Sequence, residues 1–511
     1  MTINEIFKNV NTEYSIIIDN FNEEIDILTL SSKKTSRSSI FFAVKGFKTD
    51  GHRFIRDAYN HGCRTFVVEH TDHIDTDIYN CSTILIVRNI RLAFALANTS
   101  LFGNPSRDLK MIGITGTKGK SSVTDLTNRL LSENLNTAML STIKNVIAGR
   151  VYQTDKTTLE SDILQGYLLD AKAAGSTHAI VEVSSHAVTL HRIGGIEWDC
   201  CVFTSFSRDH LDLYGSMENY FDAKVELFRN LNCSGKKNRS AFVNIDDPKG
   251  HEVCRELHSD IRLIRVGRPE SFDTPPTLND FVITDPLSSY EGIKFTLKRG
   301  NSAIDITTHM RGEFNINNIA LAVAIALENG IEPVVVQRVI SEARGVDGRF
   351  QIVISSPYIA IVDYAHSPDS LTKILEEARK IVRGRLIVVF GCTGDRDKEK
   401  RPIMGGIAAK LADYTLVTND DTYTEDPAII AADVVRGLIE SGKRSGVDYS
   451  VILDRKKALK EAILGAREGD VIVAAGMGHQ TKQILKDGPV EYSDTETILS
   501  ISREISDTKQ S

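Results

Sequence analysis

No apolar run in this chain is long enough to cross a bilayer. The longest, "LIVVF" and "VIVAA", fall far short of a membrane span. The first residues, "MTINEIFKNVNTEY", are polar and mixed in charge, unlike a signal peptide. The chain lacks a basic excess: its formal charge is −7, which argues against nucleic acid as the main partner. Seven cysteines are present without any C-x-x-C pair, which excludes both a disulfide framework and a sequence-local zinc site. There is no G-x-G-x-x-G dinucleotide fingerprint. "VSSHA" lacks the glycines of a nucleophile elbow, and "HEVCR" lacks the second histidine of a zinc-protease helix. With 41% apolar and 25% charged residues, the composition is that of a globular protein, expected in a reducing cytoplasm and without membrane insertion.

At 511 residues the length favours about three domains. Residues 1–108 alternate short apolar runs ("SIIID", "SIFFAVKG", "RTFVVEH", "STILIV") with helical stretches, the pattern of a small α/β domain. Residues 109–345 open with "LKMIGITGTKGKSSVTDLTNRLLSE", a strand, a glycine turn and a helix whose Val123, Leu126, Leu130 and Leu131 share one face. Residues 346–511 alternate strands ("YIAIVDYA", "RLIVVFG", "YTLVTND", "YSVILD", "GDVIVAAG") with helices. Ser367 and Pro368 mark one helix start, and Pro427 and Gly442 bracket another helix. The expectation is an α/β protein: a small N-terminal domain, a central phosphate-loop ATPase with a mostly parallel sheet, and a Rossmann-like doubly wound C-terminal domain. In such sheets the site lies at the carboxyl ends of the strands.

Strand, glycine turn and helix is the context in which "GITGTKGKSS" can hold a nucleotide, although Ile114 stands where the strict pattern has glycine. Backbone N–H groups there would cradle phosphates, Lys120 would neutralise them, and the Ser121 hydroxyl would ligate Mg²⁺. Glu182 interrupts the apolar strand "AIVEVSS", where a carboxylate is costly unless paired or metal-bound. His210 follows another buried strand. Taken with the loop, Glu182 and His210 point to a metal–nucleotide site rather than to a salt bridge and a loop histidine. The charged run "GDRDKEKRP", residues 394–402, is either a solvated surface or, directly after "RLIVVFG", a substrate or phosphate clamp. These residues imply an ATP-dependent enzyme and leave its reaction open.

The ordered set "TGTKGKSS", "VEVSSHAVTLHR", "SFSRDHLDLYGSMENYFDAKVELF", "GEFNINNIALAVAIA", "GVDGRF", "VDYAHSPDSL" and "GCTGDRDKEKRPIMG" resembles the Mur ligase family across nearly the whole chain. Within it, the likeness is to the UDP-N-acetylmuramoyl-tripeptide synthetases. The resemblance implies that ATP phosphorylates a carboxylate of UDP-MurNAc-L-Ala-D-Glu. The amine of a free diamino acid then attacks the acyl phosphate, giving amide, ADP and phosphate during peptidoglycan precursor synthesis. By family position, the nucleotide loop comprises Gly116, Thr117, Gly119, Lys120 and Ser121, with Glu182 and His210 as metal ligands. Lys224 matches a lysine that becomes carbamylated; on its own it would read as a helix-surface lysine. Asn315 and Asn318 match adenine-side positions, and Arg349, Asp363 and Tyr364 match C-terminal ATP contacts. Ser32 in "LSSKKTSRSS" falls on the uridine-binding serine. Thr157, Thr158, Glu160, Ser184 and Arg192 match muramyl-peptide contacts, with Leu159 in place of a proline.

Family members that add meso-diaminopimelate carry D-N-P-R where this chain has Asp420, Asp421, Thr422 and Tyr423, and "GMGHQ" ends in Gln480 rather than glutamate. With Arg396, these positions mark the incoming amino acid. Two carboxylates and no arginine favour a distal ammonium over a distal carboxylate, hence L-lysine or L-ornithine over meso-diaminopimelate. The alternative is another ligase on the same core, such as a folylpolyglutamate synthetase, against which the N-terminal region and "TTLES" argue. A regulatory relative without ligase activity is disfavoured by retention of Lys120, Glu182, His210 and Lys224. A monomer is expected.

Overall fold

The computed structural model describes residues 1–8, 10, 14–18, 24–46, 49–152, 154, 156–289, 291–343 and 345–510. The chain forms two compact units: residues 1–282 with 320–332, and residues 283–319 with 333–511.

The first unit contains two sheets. The smaller runs in the order Tyr14–Ile18, Thr83–Val87, Thr65–Val68, Ser39–Phe42, Ile27–Thr29. All neighbours are parallel except the Tyr14–Ile18 edge. Its strands are short and apolar because both faces are covered: Phe42 and Val67 point into one cluster, Phe41 and Phe66 into another. The larger sheet has Lys110–Thr115 near its middle, between Cys200–Phe203 and His178–Glu182. Ser240–Asn244 and Arg262–Gly267 extend it in parallel on one side. Thr137–Leu140 continues it on the other, followed by the antiparallel strands Asn145–Ile147 and Arg150–Tyr152.

This order places three strand ends side by side: Thr115, Glu182 and Phe203. The helix Lys120–Leu131 leaves the first of them, and Val123, Leu126, Leu130 and Leu131 are buried on it as their spacing predicts.

The second unit carries a six-stranded sheet in the order Gln351–Ile354, Ile359–Asp363, Val471–Ala475, Leu386–Phe390, Tyr414–Val417, Tyr449–Val451. Only the first strand is antiparallel. Ser367 caps the helix Pro368–Ile381 through a capping box, with Pro368 in its first turn. The helix Pro427–Glu440 also begins on proline, and Gly442, just past its end, has φ +80°. The same unit holds the antiparallel pair Gly292–Arg299 and Ser302–Thr308, which the sequence pattern did not resolve. Among the described residues, no helix is long and apolar enough to cross a membrane.

Candidate active site

The nucleotide loop is shaped by two glycines. Gly116 has φ +152°, and a Cβ there would lie 2.0 Å from Thr204 Oγ1 and 2.9 Å from Ser205 N. Gly119, at the start of the helix Lys120–Leu131, has φ +84°. Around them the 204–207 segment grips the loop: Thr117 N donates to Ser205 O (2.7 Å), and Thr204 Oγ1 donates to Lys118 O (2.6 Å). Lys120 folds back, its Nζ donating to Gly116 O and Thr117 O, both at 3.0 Å. Gly116→Ala is therefore expected to weaken ATP binding at least tenfold and lower the melting temperature, both measurable by thermal shift with and without ATP.

Glu182 is 1% exposed, and both its oxygens are engaged. Ser121 Oγ donates to Oε1 (2.9 Å); Ser141 Oγ (2.7 Å) and Thr142 N (2.9 Å) donate to Oε2. A hydroxyl and a carboxylate at a helix N-terminus are hard oxygen donors, the kind Mg²⁺ selects. The sequence brings Ser121 and Glu182 together as metal ligands, and they touch. Their link through Ser141 and Thr142 was missed; those residues follow the strand Thr137–Leu140 at the same carboxyl edge.

Lys224 corrects the surface reading of its sequence position. It lies on the inner face of the helix Met217–Asn232 and is 1% exposed. Its Nζ donates to Gly116 O (2.8 Å) and stands 4.4 Å from the centre of the Tyr220 ring. Burial holds its ammonium well below the usual lysine range; Lys120 and Lys118 push the same way, and Asp209 opposes them. The lysine is thus biased toward a neutral, nucleophilic amine. Tyr220 donates to Thr117 Oγ1 (3.2 Å). His210 is 42% exposed, at φ +52°, with its ring 5.7 Å from that of Tyr220 and 4.8 Å from that of His186. Tyr220 is the common neighbour of Lys224 and His210.

In the segment expected to contact the peptide, Thr158 Oγ1 donates to Glu182 O (2.8 Å) and accepts from Ser184 N (3.0 Å), so that segment is tied to the strand that ends in Glu182. Arg192 donates to Thr158 O (3.1 Å) and pairs with Glu160 (2.9 Å). Glu160 and Arg192 line a cavity with Leu30, Val44, Arg91 and His191, next to the stretch that holds Ser32. Thr157 adjoins Thr158; Leu159, in the proline's place, is buried in the core. A larger cavity, about 580 Å³, is lined by Glu5, Arg107 and Glu197 among others and contains none of the expected site residues.

In the second unit, Asp363 accepts from Phe350 N (2.7 Å), and the Arg349 guanidinium lies 4.8 Å from the Tyr364 ring centre. Gly348 and Gly478 permit this packing: a Cβ at 348 would meet His479 N at 2.0 Å, and one at 478 would meet Tyr364 Cβ at 2.6 Å. Asn318 donates to Asn315 Oδ1 (3.1 Å).

The positions expected for the incoming amino acid lie after strand ends of this sheet. Asp420 Oδ1 accepts from Asp421 N (2.7 Å), and Asp421 Oδ1 accepts from Ile484 N (2.7 Å). Burial raises both carboxyls, Asp420 to about 6; Gln480 bonds the Asp421 side chain. Tyr423 sits at φ +47° and Arg396 is exposed. The charged run after "RLIVVFG" divides: Arg401 is fully buried between Glu425 (2.9 Å) and Asp433 (3.1 Å), a structural role rather than a clamp. The sequence reading also missed Arg455, buried against Asp494 (2.7 Å). It donates to Asn419 O (3.2 Å) and Ala475 O (2.9 Å), joining two of these strand ends.

Three family descriptions match: Mur ligase family, catalytic domain, over residues 24–97; Mur ligase middle domain over 114–326; and Mur ligase, glutamate ligase domain, over 348–478. The UDP-N-acetylmuramoyl-L-alanyl-D-glutamate–2,6-diaminopimelate ligase of Clostridium tetani is 33% identical over 509 residues, spanning 99% of this chain and 100% of its own. A solved structure of a ligase of that name matches at TM-score 0.66 and 26% identity, covering 99% of both chains. The Mycobacterium tuberculosis folylpolyglutamate synthase shares the fold at TM-score 0.57 and 18% identity, covering 75% of this chain and 92% of its own. With the loop, the Ser121–Glu182 pair and buried Lys224 in place, the chain belongs to the Mur ligase family of ATP-dependent amide ligases.

Proposed function

We propose that this enzyme adds a diamino acid to UDP-MurNAc-L-Ala-D-Glu through an acyl phosphate, acting as a cytoplasmic monomer. The observation that carries the reading is Glu182, held between Ser121 of the nucleotide loop and, through its own carbonyl, Thr158 of the peptide-contact segment. One strand end thereby joins the ATP loop to the segment expected to hold the acceptor. Residues 1–108 would bind the UDP end, 109–345 ATP, and 346–511 the amino acid.

A carboxylate is a poor electrophile, and phosphorylation gives it a leaving group. Lys120 and the loop N–H groups hold the transferring phosphoryl group. Ser121, Glu182 and His210 would hold Mg²⁺, which when bound neutralises charge on the phosphates. Lys224, whose ammonium is disfavoured by burial, would take up CO₂ with release of a proton, and the resulting carbamate anion would be able to hold a second Mg²⁺. The amine of the diamino acid then attacks the acyl carbon and gives up a proton, and the tetrahedral intermediate collapses to the amide as phosphate leaves.

For the amino acid, relatives named for 2,6-diaminopimelate do not support the preference for lysine or ornithine. That preference rests on position 423, a tyrosine in the place of the carboxylate-gripping arginine. It is weaker than the sequence implies, because the Asp421 carboxylate is taken up by Ile484 N and Gln480. Asp420 retains a buried Oδ2 without a hydrogen-bond partner. The test is phosphate release with UDP-MurNAc-dipeptide, ATP and each candidate amine. L-Lysine or L-ornithine is expected to exceed meso-diaminopimelate in kcat/KM, and Tyr423→Arg is expected to shift the ratio toward diaminopimelate by at least tenfold, about 1.4 kcal/mol. A faster rate with meso-diaminopimelate in the unsubstituted enzyme refutes the preference and leaves the ligase reading intact. The reading itself fails if UDP-MurNAc-dipeptide supports no release with any diamino acid. A folylpolyglutamate synthetase would instead respond to folates.

A further inference from the structure

Residues 420–423 follow the strand Tyr414–Val417 without belonging to a strand themselves, and what holds them comes from further along the chain. The strands Lys482–Leu485 and Gly488–Glu491 pair antiparallel as a tight hairpin. Ile484 is its main contact: the N–H donates to Asp421 Oδ1 (2.7 Å), and the carbonyl accepts from Thr422 N (2.9 Å) and Tyr423 N (3.2 Å). Tyr423 stands at φ +47°, a backbone conformation that is costly for a residue with a β-carbon and persists only where its surroundings impose it. The bond to Ile484 O supplies part of that constraint. Gln483, 7% exposed, adds a side-chain tie, its Nε2 donating to Asp420 O (3.0 Å).

The hairpin is anchored in turn. Tyr492 N donates to Thr481 O (3.0 Å), and Tyr492 OH donates to Asp494 Oδ1 (2.9 Å). Asp494 pairs with Arg455, which donates to Asn419 O, the carbonyl just ahead of Asp420. The ties therefore close a ring: Asn419, Arg455, Asp494, Tyr492, the hairpin, Gln483 and back to Asp420. On its other side the segment is met by Gly394 N, which donates to Asp421 O (2.8 Å). A side chain spent on a main-chain carbonyl fixes position rather than supplying chemistry. This one fixes the backbone directly before residues 421 and 423, and it lies in a different unit from the nucleotide loop.

We propose that Gln483 is a positioning residue for the incoming amino acid, and that the hairpin Lys482–Glu491 is a strap setting where residues 421 and 423 stand. The inference rests on the reading of residues 420–423 as the amino-acid contacts. Losing the Gln483 donor leaves the buried Asp420 carbonyl without it and lets the segment shift. A shift of about an ångström at positioning contacts is worth up to about 10²-fold, and here it falls on the amino acid alone.

The test measures phosphate release by the full-length enzyme, using whichever of L-lysine, L-ornithine and meso-diaminopimelate the unsubstituted protein turns over best. Gln483→Met, which keeps the length without the donor, is expected to raise KM for that amino acid at least tenfold. KM for ATP and for UDP-MurNAc-dipeptide should stay within about twofold. Gln483→Glu, which keeps the shape but sets an acceptor against Asp420 O, should show the same selective rise. A fall in kcat with all three KM values unchanged, or an equal rise in all three, overturns the proposal and leaves Gln483 as a structural tie. Tyr423→Arg, assayed alongside, separates this failure from that of the underlying reading. If it shifts the amino-acid preference while neither Gln483 variant moves KM, only the positioning role falls; if none of the three moves amino-acid kinetics, both fall. In the unsubstituted enzyme, the same amino acid at saturation should slow amide exchange in residues 420–424 and 482–485 together, and slowing confined to 420–424 also overturns the strap.

Discussion

Lys224→Met is expected to abolish ligation, by about 10²–10³-fold or more in kcat, while raising the melting temperature. The two effects have one origin. The Lys224 amine is buried beside Lys120, with Gly116 O and the Tyr220 ring as its neighbours. An ammonium there costs stability, and an apolar side chain of similar shape removes the cost. The pH dependence fixes the sign. The folded-state pKa lies below the unfolded one, so between the two the unfolded chain holds a proton that the folded chain lacks. Stability of the unsubstituted protein therefore rises with pH through that window, and the advantage of Lys224→Met is largest at its acid side. Removing CO₂ should depress ligation by the unsubstituted enzyme, with recovery on adding bicarbonate, and leave the variant unaffected. Undiminished ligation in Lys224→Met or Lys224→Ala would remove the carbamate from the mechanism.

Glu182→Gln is the second large effect. The substitution preserves shape but turns one oxygen into an N–H₂ that faces a donor, either Ser121 Oγ or Ser141 Oγ with Thr142 N. A loss of about 10²–10³-fold in kcat is expected, together with a higher Mg²⁺ requirement and about 1–3 kcal/mol of lost stability. Ser141→Ala separates the two roles. It removes one hydrogen bond to Oε2, costing about 1 kcal/mol, and leaves the Ser121–Glu182 contact intact, so ligation should stay within a few-fold of the parent. Equal losses in both variants would mean that Glu182 acts only by holding the loops.

The parts legible in the sequence are those with a local physical signature. The strand–turn–helix of the nucleotide loop follows from apolar runs around glycines that need positive φ, and the C-terminal helix starts follow from Ser367, Pro368 and Pro427. Glu182 was legible because a carboxylate in an apolar strand demands a partner. Lys224 was not, since burial of a single lysine depends on which helix face meets the loop, and only tertiary packing against Gly116 and Tyr220 decides that. Asp421 misled for a related reason: its charge was visible, but the backbone N–H of Ile484, which occupies it, comes from a hairpin 63 residues away. Arg401 and Arg455 look like surface cations in sequence and are buried ion-pair anchors in the fold.

The central claim, an acyl phosphate formed on the dipeptide carboxylate, is tested most directly by isotope transfer. UDP-MurNAc-L-Ala-D-Glu labelled with ¹⁸O in its reacting carboxylate is incubated with enzyme, ATP and a mixture of L-lysine, L-ornithine and meso-diaminopimelate. The released phosphate is then examined by mass spectrometry. One ¹⁸O from the carboxylate in each phosphate, formed in step with the amide product, is the predicted result; phosphate carrying no label while amide accumulates would contradict it.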